Sequence, residues 1–233
     1  SVKNRVDEKH PIVKHPGTIN GQSFDISDCS GCRIVVMDHC EQVQIDNMHN
    51  CQVFIGASAS TVFARNCEDC TIYSCSRQLR LRECFNSAFY VFSMSEVHIE
   101  MCKNVVFAPF SGGYQEQQEH LIAANLDLES NRWNQVYDHS DTEKEEENWH
   151  LLPMHDRNSP WFPDGSNVSC FGDVNESAIP VSTTAAGQVG ESFGMDEMRK
   201  HHNARLAVEQ SNPKIAAKSH IEYDGLLMRS VGD

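Results

Sequence analysis

Cys32, Cys51 and Cys70 stand 19 residues apart, and Ser87 and Val105 continue the series after steps of 17 and 18. A second series, Cys29, Met48, Cys67, Cys84 and Cys102, keeps the same steps. A period this short is the mark of stacked repeats, each of which buries its apolar face only against its neighbours. Met, Ser and Val stand within the two series, which suits a column of modest core residues and not a ligand column. Cys29-x-x-Cys32 and Cys67-x-x-Cys70 look like two halves of a zinc site, but 34 residues lie between Cys32 and Cys67, more than the usual roughly 15–20. The thiols are therefore read as core, reduced in a cytosolic setting, with no metal among them.

Other columns keep the register. Phe24, Val43, Val62, Leu79 and Val97 lie five residues before the second series, and Ile26, Ile45, Ala64, Leu81 and Ile99 lie three before it. Ile34, Val53, Ile72, Phe89 and Phe107 follow two residues after the first series. Within each repeat apolar and polar residues alternate at period two, which is the strand pattern. Turn-prone pieces such as "SDCSGC", "DNMHNC" and "RNCEDC" break the strands. Five coils of about 18–19 residues predict an all-β chain built as a parallel β-helix, with like residues stacked roughly 4.8 Å apart along its axis.

Outward positions then form ladders as regular as the inward ones. Arg80 belongs to the row Asp25, Gln44, Phe63, Arg80, His98, and Arg82 to the row Ser27, Asp46, Arg65, Arg82, Glu100. Glu100 is expected beside Arg82 on the next coil and diagonal to Arg80, where a carboxylate can orient either guanidinium. On spacing alone, the favoured reading of such charges is the ordinary solvated ladder of a parallel sheet.

Composition limits the partners. Against 33 Asp and Glu stand 19 Lys and Arg, a net charge of −14, so a general nucleic-acid binder, which needs a basic face, is excluded. No apolar run of about 18 residues appears and "SVKNRVDEKH" is not a signal peptide, so the chain is expected to be soluble and cytoplasmic. It opens without methionine, and membrane contact is expected only through an anchor ahead of Ser1.

"HPGTINGQSFDISDC", "CEDCTIYSCSRQLRLREC", "VHIEMCKNVVFAPF", "NRWNQVYD" and "ENWHLLP" together resemble the tubulin-binding cofactor C domain family, above all its X-linked retinitis pigmentosa branch. The resemblance covers roughly residues 15–153, leaving 1–14 as an N-terminal extension and 154–233 as a C-terminal one. It implies a right-handed parallel β-helix and activity as a GTPase activator, on Arf-like small GTPases in one branch and on tubulin in the other. The family's motif, Gln-Gln-(Leu/Phe)-Arg-x-(Arg/His), reads here as Arg77-Gln78-Leu79-Arg80-Leu81-Arg82. Arg80 matches the catalytic arginine finger and Gln78 the second glutamine. Glu100 matches the family's acidic partner, and Asp138 an acidic position at the GTPase contact. Arg77 departs from the first glutamine, and His139 from an aromatic residue after the aspartate.

What this implies is an arginine supplied in trans to a GTP-bound partner that carries its own nucleotide and magnesium, so the chain needs no cofactor itself. Such fingers accelerate hydrolysis by on the order of 10³–10⁵. Gln78, Arg82 and Glu100 are then positioning or docking residues, and for Arg77 a plain surface charge is the favoured reading. The setting implied is the base of a cilium or flagellum. Tubulin as the substrate, and an adaptor without catalysis, are the alternatives.

Beyond the coils, "RNSPWFPDGSNVSC" reads as loop, and "NESAIPVSTTAAGQ" resembles a segment of the retinitis pigmentosa branch, which implies that it packs back on the core. Residues 194–210 read as a helix with Met195, Met198 and Leu206 on one face and His201 and His202 solvated, so the extension is partly helical and otherwise irregular. The resemblance also implies, in the retinitis pigmentosa branch, a nucleotide-kinase-like domain after the β-helix, and residues 154–233, without its alternating strand and helix pattern, are not expected to form one.

Overall fold

Each coil turns on residues in the left-handed backbone region, and asparagine and aspartate are the side chains that enter it most readily. One column of such turns is Asn4, Asp28, Asn47, Asn66, Glu83 and Met101, and the other is Asp7, Gly31, Asn50, Asp69, Asn86 and Asn104, all at φ between 48° and 61°. The turns also bond to one another. Asn47 Nδ2 donates to Asp28 Oδ1 at 2.8 Å, Asn66 Nδ2 to Asn47 Oδ1 at 3.1 Å, and Asn104 Nδ2 to Asn86 Oδ1 at 3.0 Å. These ladders hold the coils in register from outside while the cysteine columns fill them from within.

The structure, a computed structural model, describes residues 1–143 and 147–171. Its strands are β1 (Val2–Lys3), β2 (Ile12–Lys14), β3 (Phe24–Ser30), β4 (Arg33–Cys40), β5 (Val43–His49), β6 (Gln52–Glu68), β7 (Thr71–Arg82), β8 (Phe85–Ser93), β9 (Val97–Glu100), β10 (Lys103–Pro109), β11 (Val136–Asp138) and β12 (Trp149–Leu151). Every pairing among them is parallel. The strands form two sides of a solenoid. The first side runs β1, β3, β5, the end of β6, the end of β7, β9 and β11. The second runs β2, β4, the start of β6, the start of β7, β8, β10 and β12.

The chain is thus a parallel β-helix, as the repeat predicts, and the predicted columns are its hydrogen-bonded neighbours. Phe24 pairs with Val43, Val43 with Val62, and Val62 with Leu79. On the other side Ile34, Val53, Ile72, Phe89, Phe107 and Leu151 succeed one another. All of these line one buried core with Cys29, Cys32, Cys51, Cys67, Cys70, Cys84 and Cys102. The core thiols donate weakly to carbonyls two residues earlier in the chain. Burial pushes the Cys40 thiol up to about 12 and the Cys51 thiol up to about 11, so these two are inert as nucleophiles at neutral pH.

Both ends of the stack extend past the five repeats. Val2 and Lys3 pair with Ile26 and Ser27, and Ile12–Lys14 with Ile34–Val36, so residues 2–14 add a coil of their own. At the other end β11 and β12 add a coil onto β9 and β10.

The outward residues of the second side are apolar. Val35, Phe54, Tyr73, Tyr90 and Ala108 follow one another across β4, β6, β7, β8 and β10, with Tyr73 and Tyr90 stacked at 4.3 Å. A second buried core forms there under α1 (Gln117–Ala123) and residues 110–114, 126, 152 and 161–171. The helix has seven residues and no side-chain cap, so packing holds it: Gln117 and Leu121, four apart, face the solenoid. Gly56 makes the close approach possible, because a Cβ there would overlap the Tyr114 hydroxyl. The described part of the C-terminal extension, through Phe171, belongs to this cover. The helix expected at 194–210, with His201 and His202, and the "NESAIPVSTTAAGQ" piece lie outside the described residues. Among the described residues no helix is long and apolar enough to cross a membrane.

Candidate functional site

None of the described segments covers the first side of the solenoid, and its outward rows are the two that the sequence aligns. Phe63, Arg80, His98 and Tyr137 are register neighbours, as are Asp46, Arg65, Arg82 and Glu100. Leu79 and Leu81 are buried on either side of Arg80, so the strand anchors the arginine through its inward neighbours while the guanidinium faces solvent.

Four arginines share this region, and their hydrogen bonds distinguish them. Arg65 is committed: Nε and Nη2 donate to Asp46 Oδ1 at 2.6 Å and Oδ2 at 2.8 Å, a bidentate fork that raises the Arg65 pKa further above its ordinary value. Arg77 is committed too, donating from Nε to Ala59 O and from Nη2 to Asn125 O, each at 3.0 Å. It ties the residue after α1 to the solenoid corner. Arg82 Nε lies 4.0 Å from Glu100 Oε2 and 3.9 Å from Glu83 Oε1, a loose and exposed pairing. Arg80 makes no ion pair or hydrogen bond among the described residues. Its guanidinium stands 5.9 Å from the centre of the Phe63 ring, whose other near cation is Arg65 at 5.1 Å.

The corner that presents Arg80 is shorter than its predecessors. Ile55 pairs with Ser74, Ser58 with Ser76 and Thr61 with Gln78, so two residues are lost in two steps just before the arginine row. This is where the repeat drops from 19 to 17. Gln78 lies at the corner, half-buried, with its Oε1 accepting from Thr61 Oγ1 at 3.4 Å.

His98 and His139 meet beside Arg80. His98 Nδ1 lies 3.0 Å from His139 Nε2, the rings stack at 5.2 Å, and Tyr137 packs against both. Burial, then the neighbouring His139 and Arg80, lower the His98 pKa below the ordinary histidine value. Asp138 points away from this group into the following loop. Its Oδ1 accepts from Ser140 N and its Oδ2 from Asn148 Nδ2, each at 2.8 Å. The structure therefore gathers Arg80, Arg82, Glu100, Gln78 and His139 on one bare face, while it employs Arg77 and Asp138 as braces at its edges.

One polar cluster has no precedent in the sequence reading. Asp38, at the end of β4, is fully buried. Burial opposes its ionisation, but the N–H groups of Ile19, Asn20 and His39 donate to it and leave its pKa below the ordinary carboxylate value. His39 and His120 complete the cluster. The only sequence signal was the polar pair Asp38-His39 where the strand pattern expects apolar residues, and His120 lies 81 positions further on.

Comparison with known proteins accords with this geometry. The family description "Tubulin binding cofactor C" matches residues 21–139, just over half of the chain. Human Protein XRP2 is 32% identical over 176 residues, covering 73% of this chain and 50% of its own. The zebrafish Protein XRP2 is 33% identical over 142 residues, covering 61% and 38%. The human "Tubulin-specific chaperone C" is 24% identical over 156 residues, covering 66% and 45%. The chain thus spans half or less of the length of these relatives. With the family match running over more than half of its length, on the coils that form the solenoid, this chain is a member of the tubulin binding cofactor C family.

Proposed function

We propose that the chain is a GTPase-activating module that presents Arg80 in trans to the nucleotide of a GTP-loaded Arf-like small GTPase, in trafficking at the base of a cilium or flagellum. The observation that carries this reading is that Arg80, alone among Arg65, Arg77, Arg80 and Arg82, makes neither a hydrogen bond nor an ion pair among the described residues, on a strand fixed by buried neighbours. Hydrolysis develops charge around the transferred phosphoryl group, and a planar, permanently charged guanidinium meets that charge through two or more N–H groups. Because the arginine is already placed, little ordering is lost on docking.

The remaining residues support the same event. Glu100 holds Arg82 loosely, so both are free to re-pair with the partner's surface. Gln78 fixes the corner beside the finger, and the His98–His139 pair with Tyr137 forms the adjoining contact surface. Arg77 and Asp138 keep the edges of that surface in place. GTP and magnesium come with the partner in this reading, so this chain supplies only protein groups.

A second reading takes its support from the relatives named for tubulin chaperoning and folding. In it the same arginine acts on tubulin within a larger assembly. Single-turnover GTP hydrolysis separates the two. With purified Arf-like GTPases, an acceleration on the order of 10³ or more supports the first reading. Binding without acceleration overturns it in favour of an adaptor, and stimulation seen only with tubulin and partner cofactors overturns it in favour of the second.

A further inference from the structure

We propose that Asp38, His39 and His120 form a binding site for one divalent transition-metal ion of the zinc type, which clamps α1 to the corner of the solenoid. Asp38 Oδ1 lies 3.4 Å from His39 Nδ1 and 3.6 Å from His120 Nε2, and the three residues each bring one ligand atom within 4.8 Å of one from each of the others. Ligands held at roughly 2.0–2.2 Å in a tetrahedral arrangement stand about 3.4 Å apart, so both carboxylate–imidazole separations match a shared ion.

Each ligand is prepared for that role. Asp38 cannot rotate away, because Ile19 N at 2.6 Å and Asn20 N at 3.0 Å hold Oδ2, and His39 N at 2.9 Å meets Oδ1 from one side. His39 Nδ1 is buried with no hydrogen-bond partner, although it stands beside the carboxylate. A polar nitrogen left in that condition is costly unless something else occupies its lone pair. His120 Nδ1 lies 2.7 Å from the Tyr114 hydroxyl, which sets the ring so that Nε2 faces Asp38. A second-sphere bond on the distal nitrogen is what orients metal-binding imidazoles elsewhere.

The donor set selects the ion. Two imidazoles and one carboxylate suit zinc and its neighbours in the first transition row, whereas magnesium and calcium call for oxygen throughout. His39 and His120 keep partial exposure, 19% and 12% of their side chains, which leaves room for a water as fourth ligand. The three residues come from the end of β4 and from α1, and the carboxylate also carries the turn at Ile19–Asn20. An ion there joins three segments that no covalent link joins.

The test uses the full chain under reducing conditions after removal of metal by a chelator. Cobalt(II) added in increments should give visible d–d absorption that saturates at one equivalent, and zinc should displace it and raise the melting temperature. His39→Gln and His120→Gln should abolish both effects, while His49→Gln at the exposed end of β5 should leave them intact. Tyr114→Phe should weaken zinc by about 10-fold. Absence of saturable binding overturns the proposal, as does binding that survives His120→Gln. So do strong near-ultraviolet sulfur-to-cobalt bands, which assign the metal to the cysteines. Where a variant fails to fold, X-ray absorption of the zinc-loaded wild type decides: imidazole scattering with nitrogen and oxygen neighbours supports the site, and sulfur neighbours overturn it.

Discussion

The two sides of the solenoid share one inner core and differ only outside. On the second side the outward row is Val35, Phe54, Tyr73 and Tyr90, and α1 with Phe110, Trp161 and Phe171 covers it. On the first side the outward row in the same coils is Gln44, Phe63, Arg80 and His98, and none of the described segments lies over it. The alternation is identical, so the fold makes no distinction between the sides. What the outward residues are decides whether a side becomes interior or remains a surface for something else to meet. The second side carries an additional buried core, whereas the proposed docking residues stand on the first.

The sharpest way to break this contrast is to remove one phenylalanine from each side. Phe54→Ala empties a fully buried ring site among Tyr73, Phe110, Tyr114 and Trp161 and should cost about 3–5 kcal/mol in denaturant unfolding. Phe63→Ala, half-buried on the bare side, should cost about 1 kcal/mol or less. Equal losses would mean that the first side is covered in solution. Arg77→Ala probes the border between the sides. It removes the two bonds to Ala59 and Asn125, and should cost about 1 kcal/mol and loosen amide protection at residues 124–126 in hydrogen exchange.

Smaller effects come from the turn columns. Glu83 and Met101 occupy left-handed positions that asparagine or aspartate fills in the preceding coils, and both adjoin the Arg82–Glu100 pairing. Met101→Asn should stabilise the fold by about 0.5–1 kcal/mol, read from a raised denaturation midpoint. The smallest effect is a titration. The folded pKa of His98 lies below the unfolded one, so the folded state resists the proton that the unfolded state accepts. Its contribution is fully present above the ordinary histidine value of 6.5 and is lost as pH falls from there toward the lower folded value. His98→Asn should flatten stability across that window, and an unchanged profile would show that His98 is not the group responsible.

The inner core was legible residue by residue because a stacked repeat writes its contacts into the spacing. Cys29, Met48 and Cys67 are neighbours for the same reason that they are 19 apart. The arginine rows were legible on the same ground, including Arg82 beside Glu100. The coil at residues 2–14 escaped because Arg5 stands where the repeat has cysteine, leaving the left-handed pair Asn4 and Asp7 as its trace. The outer core escaped because alternation was read as apolar inside and polar outside. The continuous runs "AFYVF" and "VVFA" were the available sign of strands buried on both faces. The seven-residue α1 lacks a cap signature, and its tie to Asp38 arises from folding, not from spacing. Nothing in the sequence reveals that Asp138 spends both oxygens on its own loop.

Arg80 is the proposed working group of a docking face on the first side. Single-turnover GTP hydrolysis by an activated Arf-like GTPase, measured with wild type and Arg80→Ala alongside the affinity of each complex, tests it most directly. The variant should fold, bind within a few-fold of wild type, and lose on the order of 10³ in hydrolysis rate. An Arg80→Ala variant that stimulates hydrolysis as well as wild type would contradict it.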